Sequence, residues 1–306
     1  MTGKVQNASA KSKGIRLSKS DRIYYAVVYS IVVLLTLLVL YPLIYVLSAS
    51  FSSGRAVASG KVVLLPVEFS TYGYQSVLNY QSIWIGYRNT FFYTFFGTYI
   101  NIVVTLLCAY PLSRKGLRGR GFFTFIFSFT MIFSGGMIPS YLLIKKLGIM
   151  NTVWALLLPG AMSVYNMVVT RTFLQTNIPD DLLEAARMDG CSDAQFFLKV
   201  VLPLSKAIIA VISLYYAVSH WNAYFNAFLY LNKKALYPLQ IFLRQVLVLG
   251  EIDADMADEE MLLQMQNLRD VLKNAIIVVS TAPLLCAYPF VQKYFVRGVM
   301  IGSLKG

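Results

Sequence analysis

Acidic residues are scarce in this 306-residue chain: 14 Asp and Glu stand against 27 Lys and Arg, beside one histidine and three cysteines. Each shortage removes a class of function. Cys108, Cys191 and Cys286 lie far apart in no paired spacing, and His220 alone cannot complete a ligand set. Neither a metal site nor a disulfide framework fits that pattern. With one histidine and no carboxylate pair inside the apolar runs, no nucleophile–base–acid set can be assembled, so the chain does not read as an enzyme. No Gly-x-x-x-x-Gly-Lys-Ser/Thr loop occurs, which excludes P-loop binding of ATP by this chain. The apolar runs also lack Asp and Glu, and no inverted repeat is visible, which argues against a proton- or sodium-driven secondary transporter.

What the chain has is apolar length. Hydrophobic residues make up 57% of it and charged ones 13%, with a mean hydropathy of +0.61. That composition belongs to an all-α polytopic membrane protein. Its length allows six spans of about 20 residues. The net charge of +13 fits basic residues gathered on the cytoplasmic side and calls for no nucleic acid. The sequence predicts a cytoplasmic basic tail over residues 1–22 and a single transmembrane domain over 23–306. Its spans fall at about 23–47, 89–112, 122–138, 153–173, 207–230 and 271–290.

The first apolar run is too long for a signal peptide and is expected to be retained, with the N-terminus inside and a kink at Pro42. Residues 48–87 form an outer loop closed by the interfacial anchors Trp84, Tyr87 and Arg88. Arg114, Lys115, Arg118 and Arg120 mark a short inner loop, whereas Lys145 and Lys146 fall on the outer side against the rule. Asn151-Thr152 is expected to cap the fourth span. In the fifth, Tyr215, Tyr216, Ser219, His220, Trp221, Asn222, Tyr224, Phe225 and Asn226 gather aromatic and amide groups. Polar groups in hydrocarbon face a protein interior or a water-filled path, so this set suits sugar contact, or equally an interfacial belt. Pro283 and Pro289 are expected to interrupt the sixth span. The outer segment 232–270 carries Glu251, Asp253, Asp255, Asp258, Glu259 and Glu260, and its Met261–Leu268 stretch reads as a short surface helix. It is either a solvated loop or part of a docking surface.

A polar island, Ile178 to Pro203, interrupts the apolar pattern on the inner side. Pro179 suits a first helical position, and Asp180 and Asp181 place negative charge at a helix start. Gly190 predicts a left-handed stop, Ser192 with Gln195 a capping box, and Pro203 the end of the second helix. Five carboxylates in that island make a DNA-reading helix-turn-helix untenable.

The spelling of the island carries a resemblance. Glu184-Ala185-Ala186, then Asp189-Gly190, then Val201-Leu202-Pro203 resembles the EAA loop of the membrane subunits of ABC importers. Arg88-Asn89-Thr90, the Met137–Trp154 stretch, Trp221-Asn222 and the ending QKYFVRGVMIGSLKG are similar to the carbohydrate-uptake branch of that family. The resemblance implies a permease fold of six transmembrane helices with a cytoplasmic coupling helix, at which Glu184, Ala185, Ala186, Asp189 and Gly190 dock the ATPase. It implies a substrate pathway including Tyr216, His220, Trp221, Asn222, Tyr224 and Asn226. It further implies a second homologous permease, two ATP-binding cassette subunits that hold the ATP and magnesium, and an extracellular or periplasmic solute-binding protein. The expected cargo is an oligosaccharide and the expected home a bacterial inner membrane, with both termini cytoplasmic. Import of an amino acid or phosphate on the same fold is the competing reading.

Overall fold

The computed structural model describes residues 18–248 and 272–289, and no strand occurs among them. The tail before residue 18, the acidic outer stretch with Met261–Leu268, and the ending after residue 289 lie outside the described residues. α1 (Lys19–Ser50) starts where the Ser18 backbone N–H donates to Asp21 Oδ2 at 3.1 Å, and Pro42 lies within it. Only Ser48, Ala49 and Ser50 of α1 are buried, so its apolar surface faces outward along nearly its whole length. α2 (Gly54–Ala58) and α3 (Tyr72–Asn79) follow, tied back to the end of α1 by Ser48 Oγ donating to the Leu64 carbonyl at 2.6 Å.

α4 (Gln81–Ser113) is the axis of the fold, 33 residues and roughly 50 Å long. Its buried positions include Asn89, Tyr93, Gly97, Asn101, Thr105 and Ala109, every fourth residue. Four residues advance 400°, so these positions form one ridge inclined to the axis, the row that packs into a neighbouring groove. Small and polar groups line that ridge, as membrane helix contacts favour. Its main partners are the helices Lys206–Asn222 and Val164–Asn177.

The later spans are broken where the sequence suggested continuity. α5 (Arg120–Ile132) and α6 (Met137–Lys146) meet at 112° across Ser134-Gly135-Gly136, with Gly136 at φ +84°. The expected third span 122–138 therefore ends at Ile132. The expected fourth span, 153–173, is split into α7 (Trp154–Leu157) and α8 (Val164–Asn177). Pro159-Gly160 in the gap removes a backbone donor and a side chain together, which stops the first piece. Asn151 and Thr152 do not cap α7; Asn151 sits at φ +59° and its Oδ1 accepts from the Asn232 N–H, joining two loops.

α9 (Asp180–Met188) and α10 (Asp193–Phe196) realise the helix–stop–helix expectation, with Pro179 one place earlier, at the cap. Past α10 the chain makes a π-helical turn over Phe197–Val201, then α11 (Leu202–Leu204), and bends 78° into α12 (Lys206–Asn222). Pro203 thus does not end the helix. The wider turn before it relieves the clash of its ring with the preceding carbonyls, and the bend falls at Ser205. The expected fifth span 207–230 breaks at Ala223, with α13 (Phe225–Tyr230) beyond it. A 3₁₀ turn (Lys234–Leu236), α14 (Leu239–Val248) and α15 (Leu272–Pro289) complete the described chain. α15 continues through Pro283 without interruption.

Among the described residues three helices are long and apolar enough to cross a membrane: α1, α4 and α15. Five qualify when each bent pair, α5–α6 and α10–α12, counts as one span. Near one end of α4, Asn89 Nδ2 donates to the carbonyls of Ala235 and Tyr237 at 2.7 and 3.0 Å, and Thr90 Oγ1 accepts from the Leu239 N–H at 2.8 Å. Gly86 lets α14 approach, since a Cβ there would lie 3.0 Å from Leu239 Cα.

Candidate functional site

Two regions contain groups that chemistry can use, and α8 and α12 connect them. The first is a cavity of about 330 Å³ between α4, the α7–α8 break, α12 and α13. From α4, Asn101 donates through Nδ2 to the Gly160 carbonyl in the break and meets His220 Nε2 through Oδ1 at 2.8 Å. One turn further along α4, Thr105 Oγ1 shares a 2.7 Å hydrogen bond with Tyr216 OH, which also accepts from the Ser163 N–H at 3.0 Å. Asn101 and Thr105 are thus braced at once to a broken span and to α12. Gly97 completes the arrangement, because a Cβ there would stand within 2.8 Å of His220 Cδ2. The break matters physically: Gly160 offers a carbonyl and Ser163 an N–H at a depth where a continuous helix would have neither to spare.

Of the residues the sequence singles out, Tyr215, Tyr216, Ser219, His220 and Asn226 line this cavity. Trp221 does not. Its indole N–H donates to the Ser280 carbonyl at 3.0 Å, its ring meets Phe91 edge-on, and it lines an apolar hollow of about 780 Å³ between α4, α12 and α15. Asn222 Nδ2 donates to Val218 O in its own helix, and Tyr224 lies under the Arg244 guanidinium, 5.3 Å from its carbon. Neither lines the cavity. Sequence reasoning missed Asn101 and Asn166. Both are buried polar residues, 1% and 6% exposed, and Asn166 has no side-chain hydrogen bond to the described residues. The signal was available: an isolated amide in an apolar run marks an internal contact or path.

The second region is the α9–α10 element. Gly190, at φ +78°, donates its N–H to Arg187 O, and the Cys191 N–H reaches Ala186 O at 2.9 Å, the paired bonds of a Schellman stop. Ser192 Oγ accepts from the Gln195 N–H at 3.3 Å while Gln195 Oε1 accepts from the Ser192 N–H at 3.1 Å, a complete capping box. Leu183 and Ala186 turn inward onto a core with Leu112, Leu174, Ile178, Phe196 and Val201. Glu184, Ala185, Asp189 and Gly190 are exposed, beside Leu182 and Met188 at 44% and 88% exposure. That face of small, apolar and acidic groups has no cover among the described residues.

Arg114 pins this element to α4. Its Nη1 donates to the Ile178 carbonyl at 3.0 Å and to Asp180 Oδ1 at 3.2 Å, with the guanidinium carbon 5.2 Å from the Tyr110 ring centre. The side chain is 9% exposed. Lys115 approaches the other Asp180 oxygen at 3.9 Å from solvent, and Arg187 holds Asp193 at 3.0 Å. Arg171 on α8 adds a bond to the Leu112 carbonyl at 3.1 Å. Sequence reasoning assigned Arg114 only an orientation role; the structure gives it a fastening one.

A helical membrane protein with a polar cavity inside and a braced, exposed helix at one end has the form of a transport component. Residues 79–301 match the family of binding-protein-dependent transport system inner membrane components, and the chain belongs to that family. It is 41% identical to the polygalacturonan/rhamnogalacturonan transport system permease protein YtcP of Bacillus subtilis, over 94% of this chain and 99% of that one. It is 39% identical to protein LplC of the same organism, over 87% and 89% of the two chains. Among solved structures, it superposes on a chain of a bacterial ABC transporter involved in the import of the acidic polysaccharide alginate. The TM-score is 0.82 at 39% identity, covering 92% of this chain and 99% of the other.

Proposed function

We propose that this chain is one of two homologous permease subunits of an ATP-driven importer of oligosaccharides in a bacterial inner membrane. One observation carries the mechanism. The helices that wall the polar cavity run almost directly into the α9–α10 element: α8 through Ile178-Pro179, and α12 through the bend at Ser205. A push on α9 is therefore felt at Ser163, Asn166, Tyr216 and His220. That is the two-state coupling of distant sites which an importer needs.

In this reading α9 is the coupling helix, with Glu184, Ala185, Asp189 and Gly190 forming the dock for an ATP-binding cassette subunit and Ala186 seating that helix on the core. Two such subunits hold the ATP and magnesium, and this chain holds none. Six spans cross the membrane with both termini inside, the basic residues 1–22 forming a cytoplasmic tail ahead of one transmembrane domain, 23–306. A solute-binding protein delivers cargo from outside. Tyr216, His220 and Asn226 meet the sugar in the pathway, whereas Trp221, Asn222 and Tyr224 support the wall around them. The permeases for polygalacturonan and alginate among its relatives support an oligosaccharide cargo. So does a cavity whose described lining offers hydroxyls, amides and an imidazole but no Lys, Arg, Asp or Glu.

The test is ATP hydrolysis by the reconstituted complex with its binding protein, presented in turn with neutral oligosaccharides, acidic oligosaccharides and amino acids. Stimulation by a sugar class is expected. Stimulation by an amino acid or phosphate alone would keep the coupling mechanism and discard the carbohydrate cargo.

A further inference from the structure

The chain's one histidine is fixed in the cavity wall in a way that sets its chemistry. The Gly160 carbonyl can only accept, so Asn101 must present Nδ2 to it, and Asn101 Oδ1 is then what faces His220. Turning the amide over would set two oxygens against each other in a buried place. An oxygen can only accept, so Nε2 of His220 carries the proton and donates. With the ring neutral, as a lining without charge among the described residues favours, Nδ1 is left as a bare lone pair. It has no partner among the described residues, on a side chain that lines the cavity. The ring cannot slide along α4, because its Cε1–Nε2–Cδ2 edge already fills the space that a Cβ on Gly97 would take. Asn166, on the same cavity wall, offers an amide with no side-chain partner among the described residues, both donor and acceptor, and no charged side chain stands among the described lining residues. An ionised carboxylate brought here would lose its water and meet no counter-charge among the described lining residues, a cost of several kcal/mol. A sugar hydroxyl would meet an acceptor at His220 and both kinds of partner at Asn166.

We infer that this cavity reads the hydroxyls of its cargo and not its carboxylates, with Asn101 the positioning residue that turns the His220 lone pair toward the sugar. The inference rests on the transport reading above. It assigns any preference between acidic and neutral sugars to another component, the binding protein or the second permease.

The experiment uses the complete reconstituted transporter and whichever oligosaccharide the wild type takes up. His220→Leu is expected to lower uptake about tenfold, the worth of one hydrogen bond to cargo. His220→Gln, which keeps a neutral acceptor, is expected to recover to within about threefold of wild type, and His220→Lys is not. Rescue by Lys in place of Gln would mean that a cation reads a carboxylate and would overturn the inference. So would wild-type uptake by His220→Leu. A second readout needs no transport. With this subunit alone carrying ¹⁵N-histidine, the nitrogen spectrum of the assembled complex should show one imidazole, protonated at Nε2 and bare at Nδ1. Asn101→Leu should turn that into a mixture of tautomers and lower uptake with assembly unchanged. A wild-type spectrum of imidazolium, or of the Nδ1–H form, would refute the assignment. Failure of the transport reading looks different: no sugar would be taken up by the wild type at all.

Discussion

Single residues do unequal work here, and the smallest among them matter most. Gly97 is buried on the α4 ridge, and its missing side chain is the space the His220 ring occupies. Gly97→Ala asks a packed ring to leave its hydrogen bond to Asn101, or α4 and α12 to separate. Overpacking of this kind costs about 1–3 kcal/mol. The expected outcome is a complex that assembles with a lowered thermal midpoint and uptake reduced at least tenfold. Normal uptake by Gly97→Ala would mean that the wall yields freely there. Asn101 and Asn166 were not legible as a pair in the sequence, since 65 residues separate them and each is a lone amide among apolar neighbours. Tyr216, His220 and Asn226 were legible because they cluster within one short stretch. The same clustering took in Trp221, Asn222 and Tyr224, which do not line the cavity. Sequence proximity on a helix does not choose a face; only the partner helix does.

Among elements, the α9–α10 stop was the most readable part of the chain. Its two signals are local, a glycine that must adopt positive φ and a serine three residues ahead of a glutamine, and local chemistry decides both. Helix breaks were far less readable. Pro159-Gly160 is a breaker by composition, yet it sits inside a run whose hydropathy reads as one span. Ala223-Tyr224 carries neither proline nor glycine, yet α12 ends there, with Ala223 extended at the cap. The fastening of α9 to α4 by Arg114 was hidden too, because a basic residue in a short inner loop satisfies the charge rule whether or not it has a partner. Arg114→Ala would leave Asp180 without its closest cation and the Ile178 carbonyl without its donor, a loss of roughly 1–3 kcal/mol. Expected are a subunit that still inserts, ATPase activity that persists, and stimulation by loaded binding protein that falls severalfold. Full stimulation in that variant would show that α9 needs no brace.

For the whole molecule, the distribution of burial is lopsided. The core runs along α4, α8, α12 and the α9–α10 element, whereas α1 presents apolar side chains such as Leu34, Leu38 and Leu43 outward at 66%, 67% and 63% exposure. In hydrocarbon such a surface is at home against lipid tails or another apolar helix, and α1 gains little from its own chain. With the native cysteines removed, a cysteine at Leu38 is expected to cross-link to the second permease or to a lipid-borne probe. A high yield of links to a cysteine on α4 of the same chain would count against that arrangement.

α8 spans 14 residues between the cavity wall and the start of α9, an arm of about 21 Å. Tilting such an arm by about 10° displaces its far end by roughly 3–4 Å. That distance exceeds the length of any hydrogen bond in the Asn101–Gly160–Ser163–Tyr216 stitching. A modest tilt about the α9 end is therefore enough to part Ser163 from Tyr216, while the α4–α12 bonds of Asn101 with His220 and Thr105 with Tyr216 stay closed. Such a release would need no flexible parts, only a stiff rod and one bond short enough to be outrun.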